Sequence, residues 1–173
     1  MATLEGMATR WPAHLAVSPM TPPDADTVAN WRYDGPWAVY NLNGHAPQRI
    51  DAFWTVRAAS DGELIGFFCV GAEARVPGLE EIDGILDLGW GMSPDWVGRG
   101  LGRLFGAGVL HAVRNLFDSN QIRAVVQSWN ERGIRVLTTL DFEHRSTHVC
   151  VQGDHPVRYD VLVRDMRNRS SLV

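Results

Sequence analysis

The sequence contains no lysine; all 16 of its Lys+Arg residues are arginine. That absence excludes a P-loop with its phosphate-binding lysine, a kinase-type strand lysine, a Ser-Lys dyad and any Schiff-base enzyme. Cationic work falls to Arg, His and backbone N–H groups. Cysteine is scarce too: there are two, Cys69 and Cys150, far apart and flanked by apolar residues. No CxxC exists, so a zinc ribbon or thioredoxin-like site is excluded, and the reading is two buried thiols in a reducing compartment, with no metal site. Excess positive charge is absent as well. The net charge is -4, which argues against a nucleic-acid partner. No apolar run is long enough to cross a membrane and no secretory signal opens the chain, so no membrane partner and a cytoplasmic location are expected.

What is present describes one globular unit. The chain has 173 residues, 45% of them hydrophobic, enough to bury a core without disulfides. Residues 1–12 carry no periodicity and are expected to form a flexible N-terminal tail; residues 13–173 are expected to be a single domain. Strand signals cover Ala13 to Pro19, Ala52 to Ala58, Leu64 to Gly71, Ile82 to Met92, Ile122 to Gln127, His144 to Gln152 and Val157 to Val163. Helix signals cover Asp24 to about Tyr33, Pro36 to Leu42, Leu101 to Phe117 and Asn130 to Leu140. The strongest is the third, where Leu101, Leu104, Phe105, Gly108, Val109, Ala112, Val113 and Leu116 recur at helical spacing. The order predicts an α+β domain around a mixed sheet.

The informative stretch joins the fourth strand to that helix: Gly89-Trp90-Gly91-Met92, then Val97-Gly98-Arg99-Gly100-Leu101-Gly102-Arg103. Glycines let a backbone approach a ligand closely, and the first amides of a helix lack internal partners. Together they make an anion site, to which Arg99 and Arg103 can add charged donors. A Rossmann reading of Gly100, Gly102 and Gly106 fails, because the following strand ends in Gln127 rather than in an acidic residue.

From Leu86 to Phe142 the sequence resembles the GNAT N-acetyltransferases, a large acyl-coenzyme A-dependent family. Their loop signature, Arg/Gln-x-x-Gly-x-Gly/Ala, corresponds to Val97 through Gly102. A second signature, Asn-x-x-Ala-x-x-x-Tyr-x-x-x-Gly-Phe, corresponds to Asn130 through Phe142. The resemblance implies an acyl-CoA N-acyltransferase-like fold. Its central sheet is mixed but mostly antiparallel, splayed between strands 4 and 5 and flanked by helices. It implies acetyl-CoA as co-substrate, with the pyrophosphate on Val97, Gly98, Arg99, Gly100, Leu101, Gly102 and Arg103. The pantetheine arm would lie along Trp90 to Met92, with Asn130 and Arg135 adding contacts. The implied reaction is direct attack by a primary amine of a small molecule or peptide in a ternary complex. Met92 would supply an oxyanion-binding amide and Asp87 would serve as the base, with Glu80, Glu81 and Asp83 as alternatives. Trp31, Tyr33, Trp37, Tyr40 and also Trp54 are candidates to roof the acceptor site. The chain departs from the pattern at Val97, at Leu137 (where the family places a proton-donating Tyr) and at Asp141. Those departures keep a second reading in view, a catalytically degenerate CoA-binding sensor or interaction module. The family is often dimeric, which leaves a homodimer open.

Overall fold

A computed structural model describes residues 11–167. Among these residues seven strands form one sheet in the order β1-β2-β3-β4-β5-β7-β6. Their ranges are β1 Leu15–Pro19, β2 Phe53–Ala58, β3 Leu64–Val70, β4 Ile85–Met92, β5 Gln121–Gln127, β6 Glu143–Gln152 and β7 His155–Asp165. Every neighbouring pair is antiparallel except β4 and β5. Among the described residues three α-helices accompany the sheet: α1 Pro22–Ala29, α2 Gly102–Leu116 and α3 Glu131–Thr139.

The continuous apolar run of β3 has a simple cause: both faces of the sheet are covered there. Phe68 and Val70 join the core under α2 and α3, with Phe105, Val109, Val113, Leu137 and Leu140. Phe67 and Cys69 join a second cluster with Ala25 and Val28 of α1. Both cysteines are buried free thiols.

Local differences from the sequence reading have physical reasons. Helix α1 begins two residues before Asp24. Its N-cap is Thr21, and Asp24 closes a capping box from the third helical position. The predicted helix over Pro36 to Leu42 is a 3₁₀ segment, Gly35–Tyr40, with no buried residue to support a longer α-helix. On α2 the buried face is rotated toward Gly106 and Leu110. Leu104 and Leu116 instead remain 43% and 50% exposed at the margin facing β1. Part of the predicted tail, residues 1–10, lies outside the described residues. Trp11 meets Trp96 edge-on at 5.8 Å.

The feature that positions the site is a split in the sheet. β4 and β5 pair only over Ile85↔Gln121, Leu86↔Ile122 and Asp87↔Arg123. Beyond that rung β4 runs on to Met92 and β5 to Gln127 without pairing. The wedge between them opens toward the glycine loop and the start of α2.

Candidate active site

A cavity of about 760 Å³ occupies the wedge, within the usual range of small-molecule sites. One wall is Leu88 to Met92 of β4 and the other is Ala124 to Gln127 of β5. The glycine loop and the first turns of α2 and α3 close one end. Trp31, Tyr33, Trp37, Tyr40, Leu42 and Phe67 close the other.

The backbone of β4 is oriented for use. The Ser93 amide donates to the Ile65 carbonyl at 2.7 Å, across to β3. Successive residues of a strand turn their amide and carbonyl to opposite sides. Met92 therefore directs its pair into the wedge, where its carbonyl accepts the Tyr33 hydroxyl at 2.7 Å. Burial pushes the Tyr33 hydroxyl up to about 12, so it stays protonated and donates.

At the anion end, Gly98 and Gly100 take φ values of +79° and +75°, and a Cβ on either would meet nothing within 4 Å. The loop thus needs glycine for conformation there, not for space. Gly102 serves a different end, since its Cβ would sit 2.8 Å from Val136 Cγ2. The N-cap of α2 is Leu101, with no side-chain cap, so the opening amides of the helix keep their donors for a ligand. Arg103 and Arg135 line this end.

Asn130 holds the two ends of the site together. Its Oδ1 accepts from Gly133 N at 3.0 Å, capping α3, and from the Trp37 indole at 3.3 Å. Its Nδ2 donates to the Tyr40 hydroxyl at 3.2 Å. Arg132 lies 3.9 Å over the Trp37 ring.

The structure brings Trp90, Met92, Val97, Gly98, Gly100, Leu101, Gly102, Arg103, Asn130 and Arg135 to the cavity, with Trp31, Tyr33, Trp37 and Tyr40. It does not bring Asp87, Arg99 or Trp54 to the lining. Asp87 is buried, and its carboxylate accepts from Arg123 Nε at 2.6 Å, Arg123 Nη2 at 3.0 Å and Arg75 Nη1 at 2.9 Å. A carboxylate so held is committed to the sheet, which corrects its assignment as the base. Glu80, Glu81 and Asp83 are exposed and outside the cavity, so they do not replace it. Trp54 stacks on Phe68 at 5.3 Å and belongs to the core. The sequence reading did not single out Phe67, Gln127, Arg132 or Tyr159, which line the cavity. Arg132 follows Asn130 by two residues and was within reach of the motif. Nothing local marks Tyr159, which arrives on β7 from the far end of the chain. All three tyrosines of the sequence meet in this cavity.

A mixed sheet split between a parallel pair, with a glycine loop leading into an uncapped helix, defines an acyl-CoA N-acyltransferase type of fold. The Acetyltransferase (GNAT) domain profile matches residues 8–143. The chain belongs to the GNAT acetyltransferase family. A GNAT-family acetyltransferase from Bacillus anthracis superposes with a TM-score of 0.65 at 12% identity, over 91% of this chain and 98% of that one. An aminoglycoside acetyltransferase solved with coenzyme A gives 0.64 at 20% identity, over 89% and 96%. The ribosomal-protein-S5-alanine acetyltransferase from Vibrio fischeri gives 0.58 at 15%, over 91% and 95%. At these identities the likeness is one of fold. No curated protein sequence matches the chain. No helix among the described residues is long and apolar enough to cross a membrane.

Proposed function

We propose that the protein transfers an acetyl group from acetyl-CoA to a primary amine of a small molecule or peptide, by direct attack in a ternary complex. One observation carries the reading. The unpaired β4 edge, with Met92 facing the wedge, leads straight to the uncapped N-terminus of α2. An extended amide-bearing arm fits the first, and a pyrophosphate fits the second.

The residues present suit that co-substrate. The amides from Gly98 to Gly102, with Arg103 and Arg135, would hold the phosphates, and the main chain of Trp90 to Met92 would pair with the arm. Bound there, acetyl-CoA supplies an activated acyl thioester. The Met92 amide is placed to donate to an oxygen that gains negative charge in the wedge. The Tyr33 hydroxyl holds a proton beside it and takes the role that a tyrosine at position 137 would have. Neither cysteine lines the cavity, and burial pushes the Cys69 thiol up to about 12, so an acyl-cysteine route has no nucleophile.

The test is calorimetric titration of the full chain with acetyl-CoA, followed by a thiol-release assay over an amine panel. Micromolar binding with amine-dependent thiol release is the expected result. Absence of binding at millimolar ligand overturns the reading. Leu137 favours one alternative, a CoA-binding sensor, and tight binding without transfer to any amine would establish it.

A further inference from the structure

The chain carries 20 Asp and Glu residues, and among the described residues no Asp or Glu lines the cavity. The nearest claims on such groups are structural. Asp87 is held by Arg123 and Arg75, and Glu63 accepts the Trp96 indole at 2.9 Å from outside the lining. The charged lining consists of Arg103, Arg132 and Arg135. Among the described residues, none of the three has a carboxylate within 4.0 Å. The end away from the glycine loop is aromatic, with Trp31 and Phe67 rings 6.0 Å apart.

From this composition we infer that the acceptor is a weakly basic amine bearing an aromatic group and no second positive charge, of the type of an aromatic amino-acid amide. The inference rests on the acetyl-transfer reading above. A polyamine or polycationic sugar brings ammonium groups that need carboxylates, and the charged group left on the acceptor side, once Arg103 and Arg135 hold the phosphates, is the guanidinium of Arg132 over the Trp37 ring. An aromatic face alone holds a cation, but a protonated amine is not a nucleophile. With no carboxylate among the described lining residues, the amine's own pKa sets its reactive fraction. An α-amine near 7.7–8.0 is neutral at pH 7 roughly 200–400 times more often than an alkyl amine near 10.4. The aromatic end then receives the side chain of such an acceptor.

The experiment uses the full chain with acetyl-CoA and three amines: phenylalanine amide, phenethylamine and spermidine. Thiol release is followed at pH 7 and pH 9, with acetyl-CoA binding measured separately by calorimetry. At pH 7, kcat/KM for phenylalanine amide should exceed that for phenethylamine by at least about tenfold, and the gap should narrow at pH 9. Spermidine should fall about a hundredfold or more below the amide. Leu42→Asp, at an exposed position of the lining, should raise spermidine relative to the amide by about tenfold. Equal or better use of spermidine by the unsubstituted protein overturns the inference. So does parity of the two aromatic amines at pH 7, or acetyl-CoA binding with no turnover of any of the three. Failure to bind acetyl-CoA is a separate result, and it removes the acetyl-transfer reading along with this inference.

Discussion

Arg123 grips Asp87 through two hydrogen bonds, at 2.6 Å and 3.0 Å, on the last rung where β4 and β5 are paired. The ion pair therefore sits at the vertex of the split. Arg123 also donates to the Glu80 carbonyl at 2.7 Å, which ties the approach to β4 into the same joint. Asp87→Ala leaves a buried guanidinium facing Arg75, and should cost about 3–5 kcal/mol in urea unfolding. In the protein that remains folded, kcat should stay within about threefold and the pH–rate profile should keep its shape. A changed pH profile at unchanged stability would return Asp87 to the chemistry.

That pair marks where the sequence was legible and where it was not. The glycine loop, the helix after it and the motif at Asn130 were visible because local chemistry identifies them: positive φ, missing caps, helical spacing. Asp87 looked like a base because its position along β4 was right. Its neighbour Arg123 lies 36 residues on, in a strand brought alongside by a crossover. Periodicity within one strand does not say what the next strand contributes. Trp54 sits in the core and not in the acceptor roof for the same reason, since Phe68 and Phe117 claim its ring from other elements. The absence of carboxylates from the cavity lining, among the described residues, is a property of the assembled fold, and no single segment displays it.

Helix α1 carries Val28 to the cavity, and its start depends on Thr21, Asp24 and Arg57. Burial pushes the Asp24 carboxyl up, but hydrogen bonds from Thr21 and the Arg57 guanidinium outweigh it, and the group ends below its ordinary 3.8. A depressed native pKa gives stability that is present above the unfolded value and lost as pH falls through the folded one. Wild-type protein should therefore lose stability below about pH 3.8 more steeply than Asp24→Asn. Urea midpoints at pH 6 and pH 3 measure the difference. Parallel losses in the two proteins would show that Asp24 adds nothing.

Gly98 and Gly102 should fail in different ways when changed to alanine. At Gly98 the backbone is left-handed and space is open, so the cost is conformational, about 1–2 kcal/mol. Relaxation of that strain alters the loop amides, so acetyl-CoA affinity should fall with stability. At Gly102 the new Cβ presses on Val136, and the helix must move off α3 by a few tenths of an ångström. Binding should weaken by about tenfold there as well, but a smaller partner should restore it. Gly102→Ala combined with Val136→Ala is that rescue. Calorimetry on the two single variants and the double variant gives the comparison. Equal loss in the single and double variants would dismiss the packing explanation.

The Tyr33 hydroxyl donates to the Met92 carbonyl on the β4 edge inside the wedge, and its removal separates chemistry from binding. Tyr33→Phe keeps the ring and its burial and deletes only the proton. The stability cost should be about 1 kcal/mol. If the hydroxyl serves as proton donor, kcat should fall about a hundredfold while KM for acetyl-CoA holds. The direction of its pKa sets the pH behaviour. Burial raises the group to about 12, so the donating form is fully present below pH 10 and is lost only as pH rises through the folded value. Wild-type rates should then show no alkaline limb between pH 7 and pH 10 from this residue. Tyr33→Phe should lower the whole profile without moving it. A variant that raises KM and spares kcat would make Tyr33 part of the acceptor wall only, and the proton would have to come from Tyr40, Tyr159 or water.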